Sequence, residues 1–232
     1  QSYLFSKGYN MSILYGDKGV GDEMDLVQEC LDSKMDGVIW FSMVPEGNLE
    51  GLKLLKNHDI PVVMLDRGPA QIPYTLVSAY NLDGGYQMAK YLIELGHRRI
   101  LFAASEIGFV AERDRMAGYK LALEEEGISY EERLVIKETL VNLDLMVERV
   151  KEFQVTAVQC VNDKVAFQVI SRLEQEGYHV PEDISVTGFD NSVEAEYSRP
   201  RITTIDQPFE DMGRMAAKKL LKLLYGKQLK EI

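Results

Sequence analysis

Six short apolar runs in this 232-residue chain each end on residues that are small or able to hydrogen-bond. The pairs are Gly16-Asp17, Phe41-Ser42, Asp66-Arg67, Ser105-Glu106, Asn162-Asp163 and Asp190-Asn191. If the runs are parallel strands of open α/β sheets, their carboxyl ends converge where such sheets bind ligands. Carboxylates and amides placed there would bond hydroxyl groups, and an arginine would donate several bonds from one plane. The aromatic faces of Trp40, Phe41 and Phe189 would cover C–H surfaces. That chemistry suits a sugar. Each pair alone reads equally well as turn chemistry, because Asp and Asn are common in turns, and Trp40 reads as either a ligand wall or plain core.

Catalysis has little to draw on. His58, His97 and His179 sit near helix-to-strand turns, at the edge opposite the strand carboxyl ends, and are badly placed for acid–base work in such a pocket. There is no GxSxG, P-loop, HExxH or GxGxxG motif. No His, Cys and carboxylate cluster has metal-ligand spacing. Asp22, Glu23 and Asp25 fall in the first turn of a predicted helix, where the helix dipole favours acids anyway. No metal, no cofactor and no enzymatic activity is expected.

The elements that must position the strand ends are legible from periodicity. Val38-Ile39-Trp40-Phe41 and Val62-Val63-Met64-Leu65 are apolar at consecutive positions, the mark of strands covered on both faces. Strands are predicted at 11–15, 37–41, 61–65, 99–104, 157–161 and 184–188, with shorter ones near 75–78 and 203–205. Helices are predicted at 22–33, 49–57, 112–126, 145–153, 163–177 and 209–225. Another follows Asn81, read as its N-cap, with Met88, Tyr91, Leu92 and Leu95 on one face and Gly96 as its stop. Repeated strand–helix–strand units predict doubly wound α/β architecture. Residues 68–74, with Pro69 and Pro73, read as a surface loop. Residues 1–8 read as the tail of a helix whose preceding strand is absent, and the chain stops after its last helix, so a fragment is expected.

Composition narrows the function class. Acidic residues outnumber basic ones 37 to 26, a net charge of −11, which argues against nucleic-acid contact by these residues themselves. No 18-residue apolar run occurs, so no membrane span is expected. Cys30 and Cys160, with no CxxC spacing, read as two reduced thiols of a cytoplasmic protein.

Four segments then resemble one family. Tyr91-Leu92-Ile93-Glu94-Leu95-Gly96-His97-Arg98-Arg99-Ile100, Arg113-Asp114-Arg115-Met116-Ala117-Gly118-Tyr119 and Pro181-Glu182-Asp183-Ile184-Ser185-Val186-Thr187-Gly188-Phe189-Asp190-Asn191 are three of them. The fourth runs from Pro200 and Ile202-Thr203-Thr204-Ile205 through Gln207-Pro208 to Met212-Gly213. In this order and spacing they are similar to the effector-binding part of the lactose/galactose-repressor family of sugar-responsive transcription regulators. The resemblance implies two doubly wound parallel-sheet lobes with a ligand cleft between them, a periplasmic-binding-protein-like fold. The first lobe would hold residues 1–79 plus 207–232 and lack its first strand, and the second would hold 80–206.

The resemblance also implies effector contacts at Asp66, Arg115, Arg113, Asn162 and Asp190. Asp163 reads as a helix cap as readily as a ligand contact. Two departures add aromatic candidates: Tyr80 stands where the family commonly has an acid, and Phe109, in the loop Phe109-Val110-Ala111, is placed to face the effector. The function this implies is the effector-binding and dimerisation part of a homodimeric bacterial transcription regulator, a repressor: a small-molecule effector, most simply a carbohydrate, would shift the form in which an N-terminal headpiece outside this chain meets operator DNA. A secreted solute-binding protein serving a transporter is the alternative.

Overall fold

The computed structural model describes residues 1–16, 20–44, 48–68, 73–104, 109–137 and 142–228. The chain divides into two compact units: residues 1–79 with 208–232, and residues 80–207.

Unit 1 contains α1 (Ser2–Phe5), α2 (Val20–Asp32), β1 (Val38–Trp40), α3 (Leu49–Asn57), β2 (Val62–Leu65) and β3 (Thr75–Val77). The chain returns to it at the end with α9 (Phe209–Gln228), numbered in chain order after the elements of unit 2. Its strands pair in parallel in the order β1-β2-β3. Successive strand residues feed different cores: Val63 and Val77 pack with α9, whereas Trp40 and Met64 pack with α2 and α3. This alternation explains why the runs are apolar at every position. The α3 helix spans the predicted residues because Asn48 caps it, its side chain accepting from Gly51 N at 2.8 Å.

Residues 11–15 form no strand, although their sequence reads as one. A strand exists only through pairing, and the sheet holds β1, β2 and β3 alone among the described residues.

Unit 2 runs α4 (Asn81–Glu94), β4 (Ile100–Ala104), α5 (Val110–Glu125), β5 (Val135–Lys137), α6 (Leu143–Glu152), β6 (Ala157–Cys160), α7 (Asp163–Gln175), β7 (Ser185–Asp190), α8 (Val193–Tyr197) and β8 (Thr203–Asp206). Its five strands are all parallel, in the order β5-β4-β6-β7-β8. Strand order reverses beside β4, which puts a topological switch point between β4 and β6. The central strands are wholly buried from Ile100 to Ala104 and from Ala157 to Cys160.

Helices α4 and α5 lie against each other. They are linked on their outer side by Tyr86 Oη donating to Glu125 (2.6 Å) and by a Lys90–Glu126 ion pair. The acidic run 124–126, readable as a solvated helix end, thus ties two helices together. The N-cap of α4 is Tyr80 rather than Asn81, whose side chain is engaged elsewhere.

The amino ends of the strands carry the histidine. The ring of His97 lies between Thr156 Oγ1 (2.9 Å) and Ser185 Oγ (3.0 Å), joining the residues that start β6 and β7. Burial lowers its pKa, since a partly desolvated imidazolium is disfavoured. The folded protein therefore holds this proton less tightly than the unfolded chain, where histidine titrates near about 6.5. The stabilising contribution is full above that pH and declines as pH falls through it. Thermal melts at pH 7.5 and 5.5 should show a larger drop for the wild type than for His97→Gln; equal drops would exclude the histidine as a cause.

Candidate functional site

The carboxyl end of the unit 2 sheet is organised around Arg115. This residue lies on α5 and is 6% exposed. Its guanidinium donates from Nε to Asn81 Oδ1 (2.9 Å), from Nη1 to Val161 O (2.8 Å) and from Nη2 to Gln207 Oε1 (2.9 Å). Nη1 also stands 3.3 Å from Asp190 Oδ1. The plane stacks on Phe189, with Cζ 3.7 Å from the ring centroid. A rigid fork of five donors is matched here to acceptors on four different elements or their ends. The family resemblance assigns Arg115 to the effector; in the structure its guanidinium holds Asn81, Val161, Asp190 and Gln207 together.

Asp190 closes β7 with φ +112, and Asn191 follows at φ +54. Both lie in backbone regions that non-glycine residues seldom occupy, with Asp and Asn the best tolerated. Asn191 is pinned by its Nδ2 donating to Asp206 Oδ1 (2.9 Å) and by its own amide donating to Thr204 Oγ1 (3.3 Å). The side chain of Asp190 remains 27% exposed. Its carboxylate thus pairs with Arg115 while part of its side chain stays accessible.

The Asn162-Asp163 pair divides its work differently from the expectation. Asn162 is the cap of α7, its Oδ1 accepting from Val165 N at 2.9 Å. Asp163 is fully buried. It accepts from Ser192 N (2.7 Å) and from Thr204 Oγ1 (2.6 Å), joining the loops after β6 and β7 to β8. Burial raises its pKa while those hydrogen bonds pull the other way. Asp163 is thus a framework residue, and Asn162 commits its Oδ1 to capping α7.

Arg113 does not join this group. It is exposed, because two residues along a helix turn the side chain by about 200° away from Arg115. Phe109 caps the start of α5 in an extended conformation and is half-buried; Val110 and Ala111 belong to the helix itself, not to a loop. Tyr80 is 89% exposed at the head of α4. Ser105-Glu106 lies outside the described residues, as do Asp17 and the loop residues 69–72.

In unit 1 the strand ends make a smaller assembly. Asp66 follows β2 at φ +62, is buried, and its amide donates to Val77 O at 2.7 Å. Its carboxylate is 3.5 Å from Arg67 Nε, and the Arg67 guanidinium lies 4.7 Å over the ring of Phe41. Trp40 points the other way, into the core, against Gly51 of α3. Any aromatic wall at this end is Phe41, not Trp40, since adjacent strand residues face opposite sides. Glu23, read as a dipole-favoured acid, is buried and holds the loop after β1, accepting from Ser42 Oγ (2.9 Å) and Met43 N (2.7 Å). Nothing in the local sequence marks Gln207 or Asn81 as members of these clusters, because their partner Arg115 lies far along the chain.

Among the described residues no group of three or more His, Cys, Asp or Glu is placed to hold a metal ion, and no helix is long and apolar enough to cross a membrane. Both cysteines are buried and free.

A parallel sheet with its hydrogen-bonding groups gathered at the carboxyl ends of the strands defines a ligand-binding α/β domain. Residues 89–231 match the family described as periplasmic binding protein-like domain. The HTH-type transcriptional repressor PurR of Vibrio atlanticus (strain LGP32) is 34% identical over 235 residues, covering 98% of this chain and 69% of that protein. Among solved structures, the transcription regulator CcpA of Lactococcus lactis superposes with a TM-score of 0.87 at 27% identity, covering 97% of this chain and 83% of its own. The transcriptional regulator CelR in its cellobiose complex gives 0.86 at 30% identity, covering 97% and 70%. The chain belongs to the lactose/galactose-repressor family of transcription regulators and corresponds to its periplasmic-binding-protein-like part. These relatives favour the regulator over the transporter-linked solute-binding protein.

Proposed function

We propose that this chain senses a small polar molecule, most simply a carbohydrate, for a homodimeric cytoplasmic repressor whose headpiece binds operator DNA. The effector is held at the carboxyl ends of the strands. In unit 2, Asp190 and Asn162 bond its hydroxyls and Tyr80 and Phe109 supply aromatic surface; taken by itself, unit 1 carries hydrogen-bonding groups at its own strand ends in Asp66 and Arg67. The observation that carries the reading is Asp190, strained at φ +112, paired with a buried arginine and still open to solvent. A carboxylate is an acceptor-only group suited to paired hydroxyl donors. The bound cellobiose of CelR, a relative at 30% identity, supports a sugar as the class. Arg113, exposed on the far side of its helix, takes no part.

Isothermal titration calorimetry with pentoses, hexoses, disaccharides and nucleobases tests this. One class of sugar should give saturable heat, and Asp190→Asn should weaken it about tenfold or more, since a hydrogen bond to a charged group contributes about 1.5–3 kcal/mol. A folded protein that binds none of the sugars would overturn the carbohydrate reading.

A further inference from the structure

In unit 1 the turn after α1 and one face of α9 border a cavity of about 540 Å³. Its floor is the buried Leu221, and its walls are Tyr3, Lys7, Lys218, Lys222 and Tyr225. Both elements are fixed in place. Leu4 of α1 is buried against Leu220, Leu221 and Leu224 of α9. The end of α1 is closed by Tyr9 N donating to Leu4 O (3.1 Å) and Gly8 N to Phe5 O (3.0 Å), with Gly8 at φ +82, the paired bonds of a glycine-stopped helix. Lys7 is thereby held beside α9. Lys218, Lys222 and Tyr225 follow one another at i, i+4 and i+7, so they share one face of that helix. Tyr3 is half-buried against the same layer. The ammonium groups of Lys7 and Lys218 both stand 5.9 Å from the centre of its ring.

Three lysines around one cavity need an explanation in a chain of net charge −11. Like charges one turn apart on a helix repel, and Lys7 adds a third to the pair on α9. Elsewhere surface cations are matched to carboxylates: Lys90 to Glu126, Lys137 to Glu132, Lys151 to Glu176 and Arg214 to Glu210. Here, among the described residues, the partner of both Lys7 and Lys218 is the ring of Tyr3, and no acidic side chain lines the cavity.

We infer that this cavity is a second ligand site, for a small phosphate monoester whose head sits among Lys7, Lys218 and Lys222 and whose carbon body lies on Tyr3 and Tyr225. Charge selects the head. A phosphate monoester carries about −1.5 to −2 near neutral pH and presents three acceptor oxygens, whereas a carboxylate brings a single charge. Lysine serves phosphates as a point charge that needs no fixed plane. The tyrosines offer flat apolar faces for C–H surface or a ring. Size selects a small molecule, since pockets of about 300–1,000 Å³ hold ligands of that kind. A nucleic acid is disfavoured, because it rewards an extended basic face, while Glu210 and Asp211 open the same helix. This inference is independent of the effector at the strand ends and of its identity.

Glucose-6-phosphate and phenyl phosphate are the probes, titrated calorimetrically into the 232-residue chain beside inorganic phosphate and benzoate. At least one ester should bind with a Kd of about 1 mM or tighter, and about tenfold better than inorganic phosphate or benzoate. Lys218→Gln combined with Lys222→Gln should weaken it about tenfold. Both side chains are exposed, so the circular dichroism spectrum should stay that of the wild type. Acetic anhydride labelling read by mass spectrometry locates the site without any substitution. A saturating ester should slow modification of Lys7, Lys218 and Lys222 about threefold or more and leave the exposed Lys53 of α3 unchanged, and glucose itself should protect none of them. The inference would be overturned by esters that do not bind, by ester binding that survives the double substitution, or by equal affinity for inorganic phosphate or benzoate. A short phosphoserine peptide binding about tenfold tighter than either ester would also overturn it, since the occupant would then be a phosphorylated protein.

Discussion

Arg115→Ala is expected to destabilise the protein by about 3–5 kcal/mol, because several acceptors each lose a hydrogen bond from a charged group worth about 1.5–3 kcal/mol. The substitution leaves Asn81 Oδ1, Val161 O, Gln207 Oε1 and Asp190 Oδ1 without the guanidinium that each faces. It also uncovers one side of Phe189. Arg115→Lys should recover only part of the loss, staying about 1.5–3 kcal/mol below the wild type. One ammonium has three donors and no plane, and cannot serve four acceptors spread over α4, β6, β7 and β8. The consequence for sensing follows from where two of those acceptors sit. Asn81 and Gln207 are within two residues of the points where the chain leaves and re-enters unit 1. An effector hydroxyl bonded to Asp190 would act on the same guanidinium that fixes both. Urea unfolding followed by circular dichroism measures the stability term. A loss under about 1 kcal/mol for Arg115→Ala, the range of a solvent-exposed pair, would mean that this network is not the organiser of the strand ends.

How far the sequence reached can be judged at particular residues. Strands buried on both faces announce themselves by consecutive apolar residues, and β1, β2, β4, β6 and β7 fall within a residue or two of their predicted spans. The β5 strand does not, because it has only three residues, one of them exposed, after the charged stretch Glu131-Glu132-Arg133. Residues 11–15 show the reverse case, a strand pattern with no paired strand, since pairing is a property of the neighbour as much as of the segment. Residue types placed Asp66, Asn162 and Asp190 at or just past the ends of strands, where the structure also has them, because turns after strands are set by local preference. The partners of Arg115 were not legible. Gln207 is 92 residues away from it, and only the fold decides that the two meet. Two arginines in one motif also look alike in a string of letters, while the helix sends Arg113 to solvent and Arg115 into the core.

Gly118→Ala should be strongly destabilising, although alanine is the better helix former. Helices α4 and α5 cross in backbone contact at this point. A Cβ on Gly118 would lie 2.0 Å from Leu82 O and 2.5 Å from Tyr86 N, and one on Gly85 would lie 2.2 Å from Arg115 O. All three obstacles are backbone atoms rather than tips of movable side chains, so the helices must separate. Overpacking of a tight core costs about 1–3 kcal/mol and occasionally more. A backbone clash on this scale belongs at the upper end, set against a propensity gain of about 1 kcal/mol. Separation would also reach the site: Arg115 lies one turn before Gly118, and Asn81 lies one turn before Gly85, so the 2.9 Å bond between them spans the same crossing. Gly118→Ala should therefore weaken effector binding together with stability. The matching control is Gly213→Ala on α9, where an added Cβ meets nothing within 4 Å. There the same substitution should stabilise by up to about 1 kcal/mol. Urea unfolding of both variants decides it, and a neutral Gly118→Ala would mean that α4 and α5 are not held in backbone contact.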